Sequence, residues 1–484
     1  MNLTTKTTDR IETIGFTDDQ RKAYSSLIEF IDAPYNPNDF KRALIGAAGT
    51  GKTFLVKALI KNCRLSYSQI GLAAPTHKAC RVLNESINIS GIKVNTLASD
   101  LGLKPNFNAQ NFDIKNPPFD PKGEIRIGDY QLYILDEASM VHRGLCLLLE
   151  KIAKEKKVKI VYIGDGSQLP PVGEIYSPAF RGIKLNELKQ IVRQDDTNPV
   201  KYLLNLLRYD IQHKTFNFLQ YISKNKESID DKDQGYKVFD TAGFNQIVAD
   251  TFKDERITSN VDFCKLIAFT NMCVSSWNKA IRNHIIEDAE KSIITKNDLI
   301  ISYITIVNTF NEVVIKDSDE YILQDVVNYV DPTYELKGFL VRFIAIHGGK
   351  VTTPLFIIDH KDPLTINKYV SISDSMINAA KNANKTNRAA RWAEYYKFRQ
   401  SCLLLVDIIN PITYTPKYSR NLDYGFCLTS HKSQGSTFDI TLVDVDDIVY
   451  DKSGNIYSDI EQINRRLYVA CSRCKNKLYL KWNK

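Results

Sequence analysis

The stretch "RALIGAAGTGKTFLVKALI", Arg42 to Ile60, reads as a short apolar strand, a glycine-rich turn and a helix. Gly46 and Gly51 bracket four residues ahead of Lys52 and Thr53, which is the spacing of a phosphate-binding loop. Successive backbone N–H groups along Ala47, Ala48, Gly49 and Thr50 can curl around an anion there, with glycine favoured wherever a Cβ would intrude. The following helix turns its positive end toward the same anion. Lys52 can reach the β- and γ-phosphates of a nucleotide, and the Thr53 hydroxyl can ligate Mg²⁺. The loop implies a bound nucleotide and leaves its use open.

Outward from the loop, apolar runs recur at "RALIG" (42–46), "IGLAAP" (70–75), "QLYILDE" (131–137) and "KIVYIGD" (159–165), each followed by a helical pattern. That alternation predicts an α/β fold with a parallel sheet and crossover helices. Asp136 and Glu137 close the third run, at the carboxyl edge where ligands of open α/β sheets bind. One carboxylate can hold the Mg²⁺ shell while its neighbour deprotonates an attacking water. Together with the loop, the pair implies hydrolysis of ATP or GTP. In "YIGDGSQLPPVGE" (162–174), Gln168 lies just beyond the fourth run, where a neutral amide can sense a γ-phosphate.

The whole chain of 484 residues is long enough for about three domains, and 43% hydrophobic with 25% charged is a globular composition. Sixty-four basic against fifty-six acidic residues give +8, a mild excess that suits a polyanionic partner. No run approaches the roughly eighteen apolar residues of a membrane span, and "MNLTTKTTDRIETIGF" has no signal-peptide core. A cytoplasmic location is the expectation, in a host cell if the gene is a phage's. The nine cysteines are scattered and odd in number, against a disulfide framework. Cys471 and Cys474 read as two small buried residues of one helix, and no histidine pair has zinc-site spacing.

A polar, Pro- and Asn-rich segment between Leu103 and Asp129 interrupts the first rhythm and reads as a small inserted hairpin. A second α/β rhythm starts at "KLIAFTN" (265–271) with a helix from about Val274 to Glu290, and resumes at "ITLVDVDD" (440–447) and "KLYLKW" (477–482). Between them, "GFLVRFIAI" and "TPLFIID" suggest an inserted β domain. The expected organisation is 1–195 for the first α/β domain, 196–300 with 412–484 for the second, and 301–411 for the insertion. Within the insertion, "NRAARWAEYYKFRQ" (387–400) is a basic, aromatic helical pattern that reads best as a packed amphipathic helix.

In chain order, "FTDDQRKAY" (16–24), "GAAGTGKT" (46–53), "APTHKAC" (74–80), "NTLASDLGL" (95–103), "DEAS" (136–139), "GDGSQLPPVGE" (164–174), "LNELKQIVRQ" (185–194), "LTSHKSQGSTFD" (428–439) and "RRLYVACSRCKNKLYL" (465–480) resemble the Q motif and motifs I to VI of superfamily 1 DNA helicases. The "APTH" and "HKxQG" cores and the block at 268–278 are most similar to the RecD-like branch, and within it to phage helicases of the Dda type. The resemblance implies two RecA-like domains with a hairpin insertion in the first and an SH3-like β insertion in the second. It implies ATP and Mg²⁺ in the cleft, and 5′→3′ movement on single-stranded DNA. Gln20 would recognise adenine, Asp136 would hold the metal with Thr53, and Glu137 would activate water. Gln168 would couple the γ-phosphate to the DNA track, Arg193 and Arg473 would be arginine fingers, and Gln434 and Gly435 would complete the nucleotide site. Arginine suits that task because its charged fork meets phosphate oxygens bidentately.

For DNA the resemblance nominates Pro75, Thr76, His77 and Thr96 on the first domain, and Thr429, Ser430, His431 and Lys432 on the second. A wedge at the fork is expected in 104–128, with Phe112 preferred over Phe107 and Phe119. Single-stranded and forked DNA are the expected partners of a monomer, with single-strand-binding or replication proteins as further candidates. The alternatives are the motor subunit of a recombination nuclease complex and a P-loop ATPase that remodels proteins.

Overall fold

The computed structural model describes residues 15–103, 123–190, 198–287, 289–307, 312–346 and 348–484. Phe107, Phe112, Phe119 and Arg193 lie outside them. The chain forms two compact units, one of Met1–Phe244, Ile267–Phe269 and Thr429–Lys484, the other of Asn245–Leu266 and Thr270–Leu428.

The first unit is built on a parallel sheet of β1 (Lys41–Gly46), β2 (Ile70–Ala74), β3 (Val94–Thr96), β4 (Leu132–Leu135), β5 (Lys159–Gly164) and β6 (Lys184–Leu188), in the order β3-β2-β4-β5-β1-β6. Strand periodicity sorts its side chains. Leu132, Ile134, Val161 and Ile163 pack on one face with Leu27, Leu55 and Leu59 of α1 (Asp18–Asp32) and α2 (Lys52–Asn62). Their neighbours Tyr133, Leu135, Ile160 and Tyr162 pack on the other, with Leu149 and Ile152 of the helix Arg143–Lys156. Burial on both faces explains the continuous apolar runs. The edge strands β3 and β6 carry no such run: "VNT" is three residues long, and "KLNEL" exposes all but Asn186 and Leu188.

The same unit holds the strands Phe438–Asp444, Cys474–Lys481 and Gly235–Phe239, mutually parallel in that order, with Glu227–Ile229 antiparallel at the edge. The helix Ile460–Cys471 leads into the second of them. This is α/β architecture with parallel sheets. The second unit carries an antiparallel sheet in the order Leu355–Ile358, Lys337–Ala345, Glu320–Val330, Leu299–Ser302, Leu422–Tyr424.

The helix expected from Val274 runs instead over Asn271–Ile285, because the Thr270 hydroxyl caps it by accepting from the Cys273 amide. Near its end Arg282 is buried against Asp298, with Nε to Oδ1 at 2.7 Å and Nη2 to Oδ2 at 2.9 Å. Its Nη1 also donates to the Ala289 carbonyl. We predict that Arg282→Met, which strands a buried carboxylate, lowers stability by about 3–5 kcal/mol in denaturant unfolding; a change under about 1 kcal/mol would show the pair to be dispensable.

Candidate nucleotide-hydrolysing site

The carboxyl edge of the first sheet gathers the predicted residues: the phosphate loop after β1, Pro75–His77 after β2, Thr96 ending β3, Asp136–Glu137 after β4 and Gln168 after β5. In the loop Gly49 and Gly51 both take φ +83°, a left-handed conformation that disfavours a side chain. Lys52 Nζ donates to the carbonyls of Gly46 at 2.7 Å and Ala47 at 3.0 Å, so the ammonium stands over the loop's hollow. The Thr50 hydroxyl braces the turn on the Ala47 carbonyl.

Gln20 is buried and both ends of its amide are engaged. Oε1 accepts from the Thr17 amide at 3.1 Å, completing a capping box, and Nε2 donates to the Thr50 carbonyl at 3.0 Å. The structure thus places Gln20 as a clamp on the loop. Asp19, one residue earlier, accepts from the amides of Lys189 and Gln190, which belong to the "LNELKQIVRQ" block.

Thr53, Asp136, Glu137 and Gly435 line one small cavity with Ala79, Val82, Leu83 and Ser86 of α3 (His77–Ile87). A threonine hydroxyl beside a carboxylate is a hard-oxygen donor pair of the kind Mg²⁺ takes, so the residues present fit that ion. Burial raises the Asp136 carboxyl, opposed by the Glu137 amide at 2.9 Å and the Lys52 charge. Burial and then the Asp136 charge push Glu137 up to about 7, while Arg473 and Lys52 hold it down. Glu137 also has φ +48°, rare for a residue with a side chain, and such strain clusters at functional sites.

The loop after β5 is gripped by side chains of the C-terminal segment of the same unit. Gln434 Nε2 donates to Gln168 Oε1 at 3.4 Å and to the Leu169 carbonyl at 3.2 Å. Arg465 Nη1 donates to the carbonyls of Gly166 at 2.7 Å and Gln168 at 2.9 Å, and Tyr468 OH donates to Asp165 Oδ2 at 2.7 Å. Asp165, Arg465 and Tyr468 were not singled out by the sequence reading. For Arg465 and Tyr468 the one available signal was their spacing of three on the helix that leads to Arg473.

Arg473 is buried at the turn after the helix Ile460–Cys471, donating to the carbonyls of Val469 at 3.0 Å and Ser436 at 3.2 Å. Burial lowers its pKa, and the charge of Glu137 is the largest influence opposing that. The cysteines beside it do not share a helix as expected: Cys471 ends the helix and Cys474 starts the next strand, because the chain turns at Ser472–Arg473. Burial raises both thiols, which disfavours the reactive thiolate.

The nominated DNA residues divide. The hydroxyls of Thr76, Thr96 and Thr429 each accept an amide of the turn they start, from Ala79, Ser99 and Lys432 respectively, while Pro75 and His77 are half-buried. Ser430 is fully buried and donates to the Ala268 carbonyl. His431 is brought down to about 4 by burial and by Arg466, so it is neutral near pH 7. Arg466 itself stacks 3.6 Å from the Phe269 ring centroid.

Residues 19–223, less than half of the chain, match a family model described as an AAA domain. The uncharacterized protein R530 of Acanthamoeba polyphaga mimivirus is 24% identical, across 96% of this chain and 99% of that protein. The ATP-dependent RecD2 DNA helicase of Deinococcus radiodurans is 32% identical over 32% of this chain, which spans only 20% of the RecD2 protein. Among solved structures, the Pif1 helicase of Candida albicans is similar at 16% identity and a TM-score of 0.49, covering 97% of this chain and 95% of that one. Over about a third of its length, then, the chain is similar to an ATP-dependent DNA helicase of the RecD type; these relatives do not single out the Dda type.

A Cβ at Gly51 would lie 2.4 Å from Gln20 Nε2 on a left-handed backbone. Gly51→Ala is therefore expected to weaken nucleoside triphosphate binding about tenfold, read by titration with a fluorescent ATP analogue; unchanged affinity would contradict the clamp.

Proposed function

We propose that this chain is an ATP-driven DNA helicase that moves 5′→3′ along single-stranded DNA and opens forked duplex. The observation that carries the reading is the grip of Gln434, Arg465 and Tyr468 on the Asp165–Leu169 loop. It joins the phosphate loop's sheet to the segment that bears Arg473. Similarity to the RecD2 DNA helicase supports DNA as the track.

In this reading Lys52 and the loop amides hold the triphosphate, and Glu137 takes the proton of the attacking water. Arg473 supplies positive charge to the transferring phosphoryl group, with Arg193 as a second finger. Mg²⁺, held by Thr53 and Asp136, would neutralise charge on the phosphates. Gln168, freed from Gln434, would answer to the γ-phosphate. The organisation would be two RecA-like domains, 1–195 and 196–300 with 412–484, and a β insertion at 301–411. DNA would run over Pro75–His77 and Thr96, then Thr429, His431 and Lys432, with Phe112 as wedge. Ser430, being buried, would serve that track through its backbone position.

Glu137 must be deprotonated to act as a base, so turnover should rise as pH increases through about 7. Glu137→Gln should flatten that limb and lower kcat by about 10²–10⁴; an unaltered profile would remove Glu137 from the role. Direction is tested by unwinding of 5′-tailed against 3′-tailed duplex with Lys52→Ala as the inactive control. Preference for the 5′ tail is the expected result. Preference for the 3′ tail would reverse the polarity, and unwinding by Lys52→Ala would overturn the nucleotide assignment.

A further inference from the structure

Between Asp374 and Asp407 the chain carries six cations, Lys381, Lys385, Arg388, Arg391, Lys397 and Arg399, against the single carboxylate of Glu394. The balance over the whole protein is 64 to 56, so this is a strong local excess. The segment forms the end of one helix, Pro363–Asn382, and all of the next, Lys385–Ser401. The second was expected to be a packed amphipathic helix. Instead Phe398 is its one buried residue, packed on Tyr334 and Tyr369. A helix of 17 residues, about 25 Å long, that buries one side chain is displayed rather than packed.

What it displays is ordered. At 3.6 residues per turn, Lys385, Arg388, Arg391, Trp392, Tyr395, Tyr396 and Arg399 fall within an arc of about 140°. Arg399 is committed to the fold, donating to Tyr369 OH at 3.0 Å and to the Ser419 carbonyl at 2.8 Å. Lys385, Arg388 and Arg391 are exposed. The Arg391–Glu394 pair is more than half solvent-exposed on both sides, which makes it weak and easily exchanged. On the same arc Trp392 and Tyr396 lie nearly parallel, 29° apart with centroids at 6.0 Å, and Tyr396 is 47% exposed. Exposed aromatic rings cost free energy in water unless something covers them.

We propose that this face of the helix Lys385–Ser401 binds single-stranded nucleic acid, through residues other than those assigned to the track of the motor. The cations answer phosphates, and the rings offer a platform on which bases stack. Duplex would meet the cations but leave the rings unused, because its base faces are covered. An acidic protein surface would equally leave Trp392 and Tyr396 without a partner of matching shape.

The test uses the full chain with p-benzoylphenylalanine in place of Tyr396, irradiated with labelled oligo(dT) in the absence of ATP. An adduct is expected, competed by unlabelled single strand and at least about fivefold less by blunt duplex, and retained in a Lys52→Ala background. Arg388→Ala with Arg391→Ala should make adduct formation less salt-dependent, with the log–log slope shallower by about 1.4 for two phosphate contacts. Trp392→Ala, with unchanged circular dichroism, should weaken the adduct about fivefold or more. No adduct, equal competition by duplex, or indifference to both variants would overturn the proposal. Because binding here needs no turnover, these outcomes are independent of whether the chain hydrolyses ATP or unwinds DNA.

Discussion

Everything at the candidate site depends on how the five-residue loop Asp165–Leu169 is held. It leaves the carboxyl end of β5 beside the phosphate loop, yet its carbonyls and carboxylate are bonded by Gln434, Arg465 and Tyr468 from the far end of the sequence. The bonds from Gln434 and Tyr468 are buried, so breaking either leaves an unsatisfied buried group, and those from Arg465 are charge-assisted. In the proposed reading, a nucleotide that rearranged Gln168 would also act on the helix Ile460–Cys471, and through it on Arg473.

The second constraint is electrostatic. Asp136 and Glu137 are adjacent carboxylates in a poorly solvated place, with Lys52 and Arg473 as the compensating cations named by their influence on Glu137. Burial and like charge bring Glu137 near neutrality, where a general base is most effective. Its left-handed backbone is a local cost carried where the two carboxylates line one cavity. The same arrangement offsets the burial of Arg473, which lowers its pKa while the charge of Glu137 opposes the shift.

Much of this was legible in sequence because the residues concerned obey local rules. Buried parallel strands must be apolar throughout, so β1, β2, β4 and β5 announce themselves, and a phosphate loop needs glycine at fixed offsets. The edge strands β3 and β6 were missed since one polar face and a short span remove the pattern. Gln20 was nominated for adenine by resemblance alone; the grip of its amide on the loop depends on the fold bringing Thr50 alongside, which spacing along the chain cannot reveal. Arg465 and Tyr468 were hidden for the same reason, as their partners lie about 300 residues away. The helix Lys385–Ser401 misled because amphipathic periodicity tells which residues share a face and not whether anything covers it.

In the proposed mechanism one hydrolytic centre is completed by Arg473 from the C-terminal segment. Single-turnover ATP hydrolysis by Arg473→Ala, with Arg473→Lys beside it to keep the charge while removing the fork, tests it most directly. A fall in the chemical rate of about 10³ or more is expected for Arg473→Ala, with ATP affinity within a few fold of wild type and at most partial recovery in Arg473→Lys. Hydrolysis by both variants at close to the wild-type rate would contradict it.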